Sequence, residues 1–367
     1  MEYRKLKTLA KYLTGKLNSN AAVEDGEYPF FTCAHDIYRI DQYSYDGEYV
    51  LLGGNNASGD FPIFYYNGKF DAYQRTYLIQ PLSEDTDTKY LYYSIGLKLH
   101  QMKANASGTA TKFLTQPILN NINIEYRDIE EQKRIADILS AYDNLIENNN
   151  KRMKLLEQMA ENLYKEWFVR FRFPGYEDVE FDGTLPTGWQ YQPISESMDF
   201  FDSQRVPLSS MQRDEMEKIY PYYGAAKLMD YVDNYLFDGE YLLLGEDGTV
   251  VTTDGFPVLQ LVNDKFWVNN HAHVIRGKGN ISTRFLYLMF CRFPITSVVT
   301  GSAQPKISKG RLEKLKILVP DAITMEHFNN LINPMFDEIN VLKKQLIRIT
   351  KQRDMLLPRL MSGKLEA

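Results

Sequence analysis

The sequence contains itself twice, and that narrows its possible folds more than any other feature. Tyr45-Asp46-Gly47-Glu48-Tyr49-Val50-Leu51-Leu52-Gly53 returns as Phe237-Asp238-Gly239-Glu240-Tyr241-Leu242-Leu243-Leu244-Gly245. Tyr28-Pro29-Phe30-Phe31 is matched by Tyr220-Pro221-Tyr222-Tyr223, and Asn67-Gly68-Lys69-Phe70 by Asn263-Asp264-Lys265-Phe266. Gly108-Thr109-Ala110-Thr111-Lys112 faces Gly301-Ser302-Ala303-Gln304-Pro305-Lys306. Four landmarks keep their order and nearly their spacing. Repeats of about 20–50 residues build solenoids; this period is far longer, so each copy is a domain able to fold alone. Two copies of one domain predict a protein that does the same job at two places.

Composition bounds that job. The 367 residues leave room for two or three cores, and 44% hydrophobic with 25% charged residues is ordinary for a soluble chain. A net charge of −6 argues against coating nucleic acid unaided, while allowing a local basic surface or a basic partner. The 26 tyrosines suit both stacking on bases and filling sheet faces. Cys33 and Cys291 lie far apart with no CxxC spacing, so neither a disulfide framework nor a zinc site is expected. The start, Met1-Glu2-Tyr3-Arg4-Lys5, lacks an apolar signal region, and no run reaches a membrane-spanning length. The chain reads as cytoplasmic, with no membrane partner.

The pattern along the chain predicts an α+β protein with four parts. Residues 1–127 form a mixed domain with short strands at Tyr49–Leu52, Ile63–Tyr66 and Tyr77–Ile79. Residues 128–172 form a long helix, capped by Asp128 with Glu131 reaching back. Its apolar seam is Ile135, Ile138, Tyr142, Leu145, Leu156, Met159 and Leu163, with Asn149 and Arg152 as a polar middle. At 1.5 Å per residue this helix would be roughly 65 Å long, ended by Phe173-Pro174-Gly175. Residues 173–322 form the second mixed domain, and 323–367 a second helix. Thr324 should cap it, with Glu326 in the first turn. Its seam runs through Phe328, Ile332, Met335, Ile339, Leu342, Leu346, Ile349, Leu356 and Leu360, with Arg353 interrupting. Pro334 should be tolerated or kink the helix, and Pro358 should bend or end it. Each stripe must bury itself. The pattern predicts an antiparallel two-helix coiled coil that spaces two related domains about a pseudo-twofold axis; packing of each helix on its own domain is the alternative.

Enzyme signatures are lacking. There is no phosphate loop, GxGxxG, GxSxG elbow, HExxH or paired CxxC. Asn333-Pro334-Met335-Phe336 looks like the adenine-methyltransferase Asn-Pro-Pro-Phe/Tyr motif, but it sits inside the second heptad helix. Pro320-Asp321 lacks the Glu-x-Lys of a nuclease site. His271-Ala272-His273 could offer two imidazoles on one strand face, without a third ligand of suitable spacing; His35, His100 and His327 are isolated. No catalytic residue and no metal site are expected. The basic segments are more telling. Around Gly301–Arg311, the residues Ser302, Gln304, Lys306, Ser308, Lys309 and Arg311 supply hydroxyls, an amide and cations for phosphate oxygens, as do Thr109, Thr111 and Lys112 in the other copy. Lys343, Lys344, Arg348, Lys351, Arg353, Arg359 and Lys364 make the second helix cationic, toward DNA, an acidic partner or solvent.

Taken together, these residues resemble the specificity subunits of type I restriction-modification systems over essentially the whole chain. The resemblance is carried by Glu131-Gln132-Lys133-Arg134-Ile135-Ala136-Asp137-Ile138-Leu139, Leu185-Pro186-Thr187-Gly188-Trp189, the Gly301–Ser308 loop and Leu357-Pro358-Arg359-Leu360-Met361-Ser362-Gly363-Lys364-Leu365. It implies two target recognition domains, each reading half of a split double-stranded DNA sequence, and helices that act as a ruler. It implies partners too: two modification (methyltransferase) subunits holding S-adenosylmethionine, and restriction subunits using ATP and Mg. This chain itself would hold no cofactor. The first domain begins almost at Met1, so an extra N-terminal element of longer relatives is expected to be missing. If the halves read different sequences, base contacts belong where they diverge, at Asn55, Asn56, Ser58, Gln74 and Arg75 against Thr249, Thr252, Asn269, Asn270 and His271. Arg39, Arg205 and Lys227 join these candidates, and each position also reads as an ordinary turn residue. A stand-alone two-headed DNA-binding regulator and a coiled-coil protein adaptor remain the alternative functions.

Overall fold

The duplication is visible strand by strand in the computed structural model, which describes residues 2–56, 59–105, 113–301 and 305–367. The chain divides into two compact units, one of Met1–Asn148 with Gln345–Ala367 and one of Asn149–Lys344. In unit 1 the strands are β1 (Glu2–Lys5), β2 (Ala10–Thr14), β3 (Tyr28–Phe31), β4 (Tyr38–Ile40), β5 (Tyr45–Gly53), β6 (Ile63–Ala72) and β7 (Thr76–Pro81). Helices α1 (Thr88–Asn105) and α2 (Gln116–Asn120), β8 (Asn123–Tyr126) and the long α3 (Ile129–Tyr164) follow. Unit 2 opens with β9 (Phe181–Asp182), β10 (Leu185–Pro186), β11 (Gln190–Pro193), β12 (Met198–Phe200) and α4 (Ser210–Asp214). It continues through β13 (Tyr220–Tyr223), β14 (Leu228–Val232), β15 (Phe237–Gly245), β16 (Leu259–Val268), β17 (Ala272–Gly277) and α5 (Thr283–Phe290). Then come β18 (Val299–Thr300), β19 (Lys306–Ile307), α6 (Lys309–Leu312), β20 (Lys316–Val319) and α7 (Ala322–Met361).

Each unit holds a six-stranded sheet, ordered β2-β7-β5-β6-β3-β4 in one and β12-β17-β15-β16-β13-β14 in the other. All neighbours are antiparallel except β3–β6 and β13–β16. The central strands β5 and β15 are buried on both faces, so alternate side chains feed two cores. Val50 and Leu52 join the core beneath α1, while Tyr49 and Leu51 pack with Phe31 and Phe70 on the other face. Leu242 and Leu244, against Tyr241 and Leu243, do the same in unit 2. The Asp-Gly-Glu signature has a backbone reason: Gly47 and Gly239 have φ of 127° and 114°, where a side chain is strained.

Each long helix gives its two ends to different units. In unit 1, Ile135, Ala136 and Leu139 of α3 share a core with Leu360 and Met361 of α7, and Arg353 binds Asp143 at 2.7 Å. In unit 2, Tyr164 and Phe168 pack on Phe328, and Arg152 binds Glu338 at 2.5 Å. The start of one helix thus meets the end of the other, which is antiparallel pairing. The same apolar face also covers the unit's own sheet core, so both expected uses of the stripe are realised. The seam therefore departs from a strict heptad. Ile135, Ile339 and Leu342 are buried, and Ile138, Tyr142, Leu156, Leu163, Leu346, Ile349 and Leu356 are half-buried, but Leu145 and Met159 are exposed. A 3.6-residue helix drifts about 20° per heptad from a 3.5 repeat, and packing on the sheet core selects a wider face than a two-helix seam.

Three local expectations are corrected. The α-helix α3 stops at Tyr164 and passes into a π turn at Lys165–Val169, short of Arg172, with Phe171 at a positive φ of 57°. Asp128 does accept the Glu131 N–H at 2.9 Å, but the Glu131 carboxylate pairs with Arg127 instead of reaching back. Helix α7 is capped by Asp321, not Thr324. Asp321 accepts the Thr324 and Ile323 N–H groups and the Thr324 hydroxyl, and Trp189 Nε1 donates to it at 3.1 Å. Burial pushes the Asp321 carboxyl up, but those Thr324, Trp189 and Ile323 hydrogen bonds outweigh it and leave it below the usual range. Pro334 is tolerated within α7, as expected, and the helix ends at Met361, in the turn after Pro358 and just before Gly363 at φ 66°.

Candidate nucleic-acid interface

At one end of each sheet, loops from separate parts of the chain are tied together by the same backbone hydrogen bonds. In unit 1 the Gly54 N–H donates to the Arg75 carbonyl at 2.8 Å, and the Leu114 N–H to the Gly54 carbonyl at 2.9 Å. In unit 2 the Glu246 N–H donates to the His271 carbonyl at 2.8 Å, and the Ile307 N–H to the Glu246 carbonyl at 2.8 Å. The staple holds the loop after the central strand, the following β-turn and the segment after the helix. Gly248 N–H to Pro305 O at 3.1 Å and Asn269 N–H to Tyr223 O at 3.1 Å draw two more loops to this end of unit 2. The scaffold is shared, and the side chains on it are not.

The candidate residues divide by what they touch. Arg75, next to exposed Gln74, is exposed, and among the described residues its guanidinium has no hydrogen bond or ion pair. Lys227, Thr249, Asn270 and Arg311 are likewise exposed. Asn55 pairs with Phe113 through a β-bridge, Asn56 accepts the Gly59 N–H at 3.1 Å, and Gln74 donates to Asn18 at 3.2 Å. His271 is about half-exposed and held against Asp247. Lys306 lies 3.4 Å from Glu246, and Lys309 sits 4.8 Å over the Phe200 ring and 3.7 Å from Glu313. Ser308 precedes α6 and its carbonyl accepts the Arg311 and Leu312 N–H groups. Thr109, Thr111, Lys112, Ser302, Gln304 and Ser58 lie outside the described residues.

Four candidates spend polar atoms on the scaffold: Asn269 is buried and Arg205 half-buried, while Arg39 and Thr252 are exposed. The Arg39 guanidinium donates to the Gly26 carbonyl at 2.9 Å and the Glu27 carbonyl at 2.7 Å, closing a loop on itself. Asn269 is buried, its amide oxygen accepting the His271 N–H at 2.9 Å. Thr252 accepts the Phe256 N–H at 3.2 Å. Arg205 is the clearest case: it donates to Glu246 Oε2 at 2.7 Å, the Ala272 carbonyl at 2.7 Å and the Asp202 carbonyl at 3.0 Å.

Sequence spacing missed the group around Arg205. Asp202, Glu246 and His273 come from distant segments, yet their ligand atoms lie within 4.8 Å of one another. His273 is buried, with Nδ1 2.6 Å from Asp202 Oδ2 and Nε2 2.8 Å from the Ile307 carbonyl. Both ring nitrogens face acceptors. Such a cluster can hold a metal ion in principle, but here the Arg205 guanidinium is already among the carboxylates and supplies the balancing charge. Burial raises the Asp202 carboxyl; the His273 hydrogen bond and charge, the Val274 N–H and Arg205 outweigh it, so the net shift is downward. The cluster fixes the staple, since it grips β17, the loop after β15 and the Lys306–Ile307 strand together. His271 and His273 therefore fall in two different environments, not on one shared ligand face.

Two copies of one sheet module, each presenting different side chains on the same loop staple, define a two-headed recognition protein. The chain belongs to the family of the type I restriction modification DNA specificity domain, which matches residues 1–158 and 186–343. It is 24% identical over 407 residues to the Escherichia coli type I restriction enzyme EcoDI specificity subunit, covering 98% of this chain and 87% of that one. It is 29% identical over 303 residues to the MjaIX specificity subunit of Methanocaldococcus jannaschii, covering 76% and 69%. The crystal structure of the type I restriction-modification S subunit from M. genitalium shares the fold, with a TM-score of 0.67 at 17% identity over 98% of this chain and 95% of that one. No helix among the described residues is long and apolar enough to cross a membrane.

Proposed function

We propose that this chain is the DNA-reading, non-catalytic subunit of a type I restriction-modification complex, each unit reading one half of a split target. The observation that supports it best is the loop staple, identical in backbone at Gly54–Arg75–Leu114 and Glu246–His271–Ile307 but clothed in different side chains. A shared scaffold with divergent tips is what two readers of different base sets require. Arg75 and Lys227, exposed and with no side-chain partner among the described residues, suit guanine edges or phosphates. Lys306, Lys309 and Arg311 suit phosphate oxygens. Methyl transfer with S-adenosylmethionine, and ATP- and Mg-dependent restriction, belong on this reading to partner subunits in the cytoplasm.

The test is methylome sequencing of cells with and without this chain, together with its methyltransferase partner. A bipartite methylated motif should appear only with the chain present. Exchanging residues 186–320 for those of a relative should change one half of the motif alone; a change in both halves, or no motif, refutes the reading.

A further inference from the structure

Beside each staple lies a hairpin tip, the turn from β3 to β4 in unit 1 and from β13 to β14 in unit 2. Tyr28 pairs with Ile40 and Tyr220 with Val232, so the two tips align residue for residue. Each is fastened to its staple. The Tyr73 N–H donates to the Phe31 carbonyl at 2.9 Å in unit 1, and the Asn269 N–H to the Tyr223 carbonyl at 3.1 Å in unit 2. His35, Asp36 and Ile37 thereby match Lys227, Leu228 and Met229. The tips differ in charge, yet both keep a large apolar side chain facing solvent at one register: Ile37 is 49% exposed and Met229 52%. A single exposed apolar residue means little by itself. Here it recurs in both copies, at the end of the sheet where the divergent loops gather.

In unit 2 the position is built. Gly224 stands across the hairpin, and a Cβ there would collide with the Met229 sulfur, so the missing side chain makes the seat. The Asn269 amide nitrogen lies 3.6 Å from that sulfur, and the Asn269 amide oxygen accepts the His271 N–H at 2.9 Å. Met229 is therefore set against the loop that carries His271, with exposed Lys227 at the same tip. Given the DNA-reading function proposed above, we infer that Met229 reads the C5-methyl group of a thymine in the major groove, and that Ile37 is its counterpart in the other half-site. Among the groups that base pairs present in that groove, the thymine methyl is the apolar one, and uncharged side chains recognise it by contact. An unbranched thioether adapts its shape to such a small target. Lys227 beside it suits a flanking phosphate, which would hold the tip in the groove.

The test is competition binding of the full chain with its methyltransferase partner to synthetic duplexes of the methylated motif. Exchange of residues 186–320 assigns the unit 2 half-site. Replacing its thymines by uracil, one at a time, removes a methyl group and leaves every hydrogen-bonding atom in place. One replacement should weaken binding about fourfold, the worth of one buried methyl group. Met229→Ala, at an exposed position, should bind the thymine and uracil duplexes equally, and Met229→Leu should restore the preference. Ile37→Ala should erase a thymine preference in the other half-site alone. A thymine preference that survives Met229→Ala, or a unit 2 half-site in which no thymine methyl affects binding, overturns the assignment of Met229 and leaves DNA reading intact. Failure to obtain any bipartite motif overturns both.

Discussion

Arg205 separates a base-reading role from a scaffold role in one measurement. Its side chain is 12% exposed, and its Glu246 and Asp202 partners are each 14% exposed. Methionine at this position keeps most of the volume and removes the charge. Removing one member of a buried ion pair costs about 3–5 kcal/mol, because the remaining charges lose their compensation. His273 and Lys306 stay beside the two carboxylates, so the loss should fall near the lower end, about 3 kcal/mol. For a domain of this size that is a fall in Tm of about 6–12 °C. Trp167, Trp189 and Trp267 all lie in unit 2, so tryptophan fluorescence follows that unit alone. Thermal melts of Arg205→Met should show the drop, while the methylated motif of folded protein at low temperature keeps every base. If Tm moves by less than about 2 °C while one position of the motif relaxes, Arg205 reads a base and the scaffold assignment is wrong.

Other consequences are simpler to state. Asp321 titrates below its unfolded value, so its contribution to stability is present above about pH 4 and is lost as pH falls through the folded pKa. Asp321→Asn should therefore destabilise unit 2 at neutral pH and match the parent in strong acid; a constant difference in Trp fluorescence melts from pH 7 to 2 would contradict this. Arg75→Ala and His271→Ala occupy matched staple positions, and each should relax only its own half of the motif, by about 1–3 kcal/mol at one base pair in competition binding. Lys306→Ala should weaken binding alike on all sequences and lower the salt slope by about one unit; loss confined to one base pair would argue for base contact. Leu51→Ala, deep in the unit 1 sheet, should cost about 2–5 kcal/mol in denaturant melts without altering the unit 2 half-site.

The sequence carried the architecture because its signals were long or duplicated. Two nine-residue strand copies with glycines forced to positive φ, and two helices with apolar stripes, could only be two like units with long helices. What it could not carry was the direction in which single side chains point. Arg39 and Arg205 are arginines in loops, the type that suits guanine, yet each spends its donors on carbonyls of its own unit. Arg75 is the same residue type with the opposite fate: exposed in the β6–β7 turn, its guanidinium makes no hydrogen bond or ion pair among the described residues. The Asp202–Glu246–His273 group was hidden for a related reason: its members are tens of residues apart and meet only when β17 pairs with β12 and β15. Trp189 of the Leu-Pro-Thr-Gly-Trp signature shows the converse. It was a family landmark in sequence, and its bond to Asp321 gives the physical reason: it fastens the entrance of unit 2 to the cap of its long helix. Motif and mechanism coincide where a residue holds the scaffold, and a scaffold shared by two readers is what duplication preserves. Reading itself must sit on exposed side chains that the scaffold leaves uncommitted, which makes Arg75 and Lys227 stronger candidates than the half-buried, ion-paired Arg205.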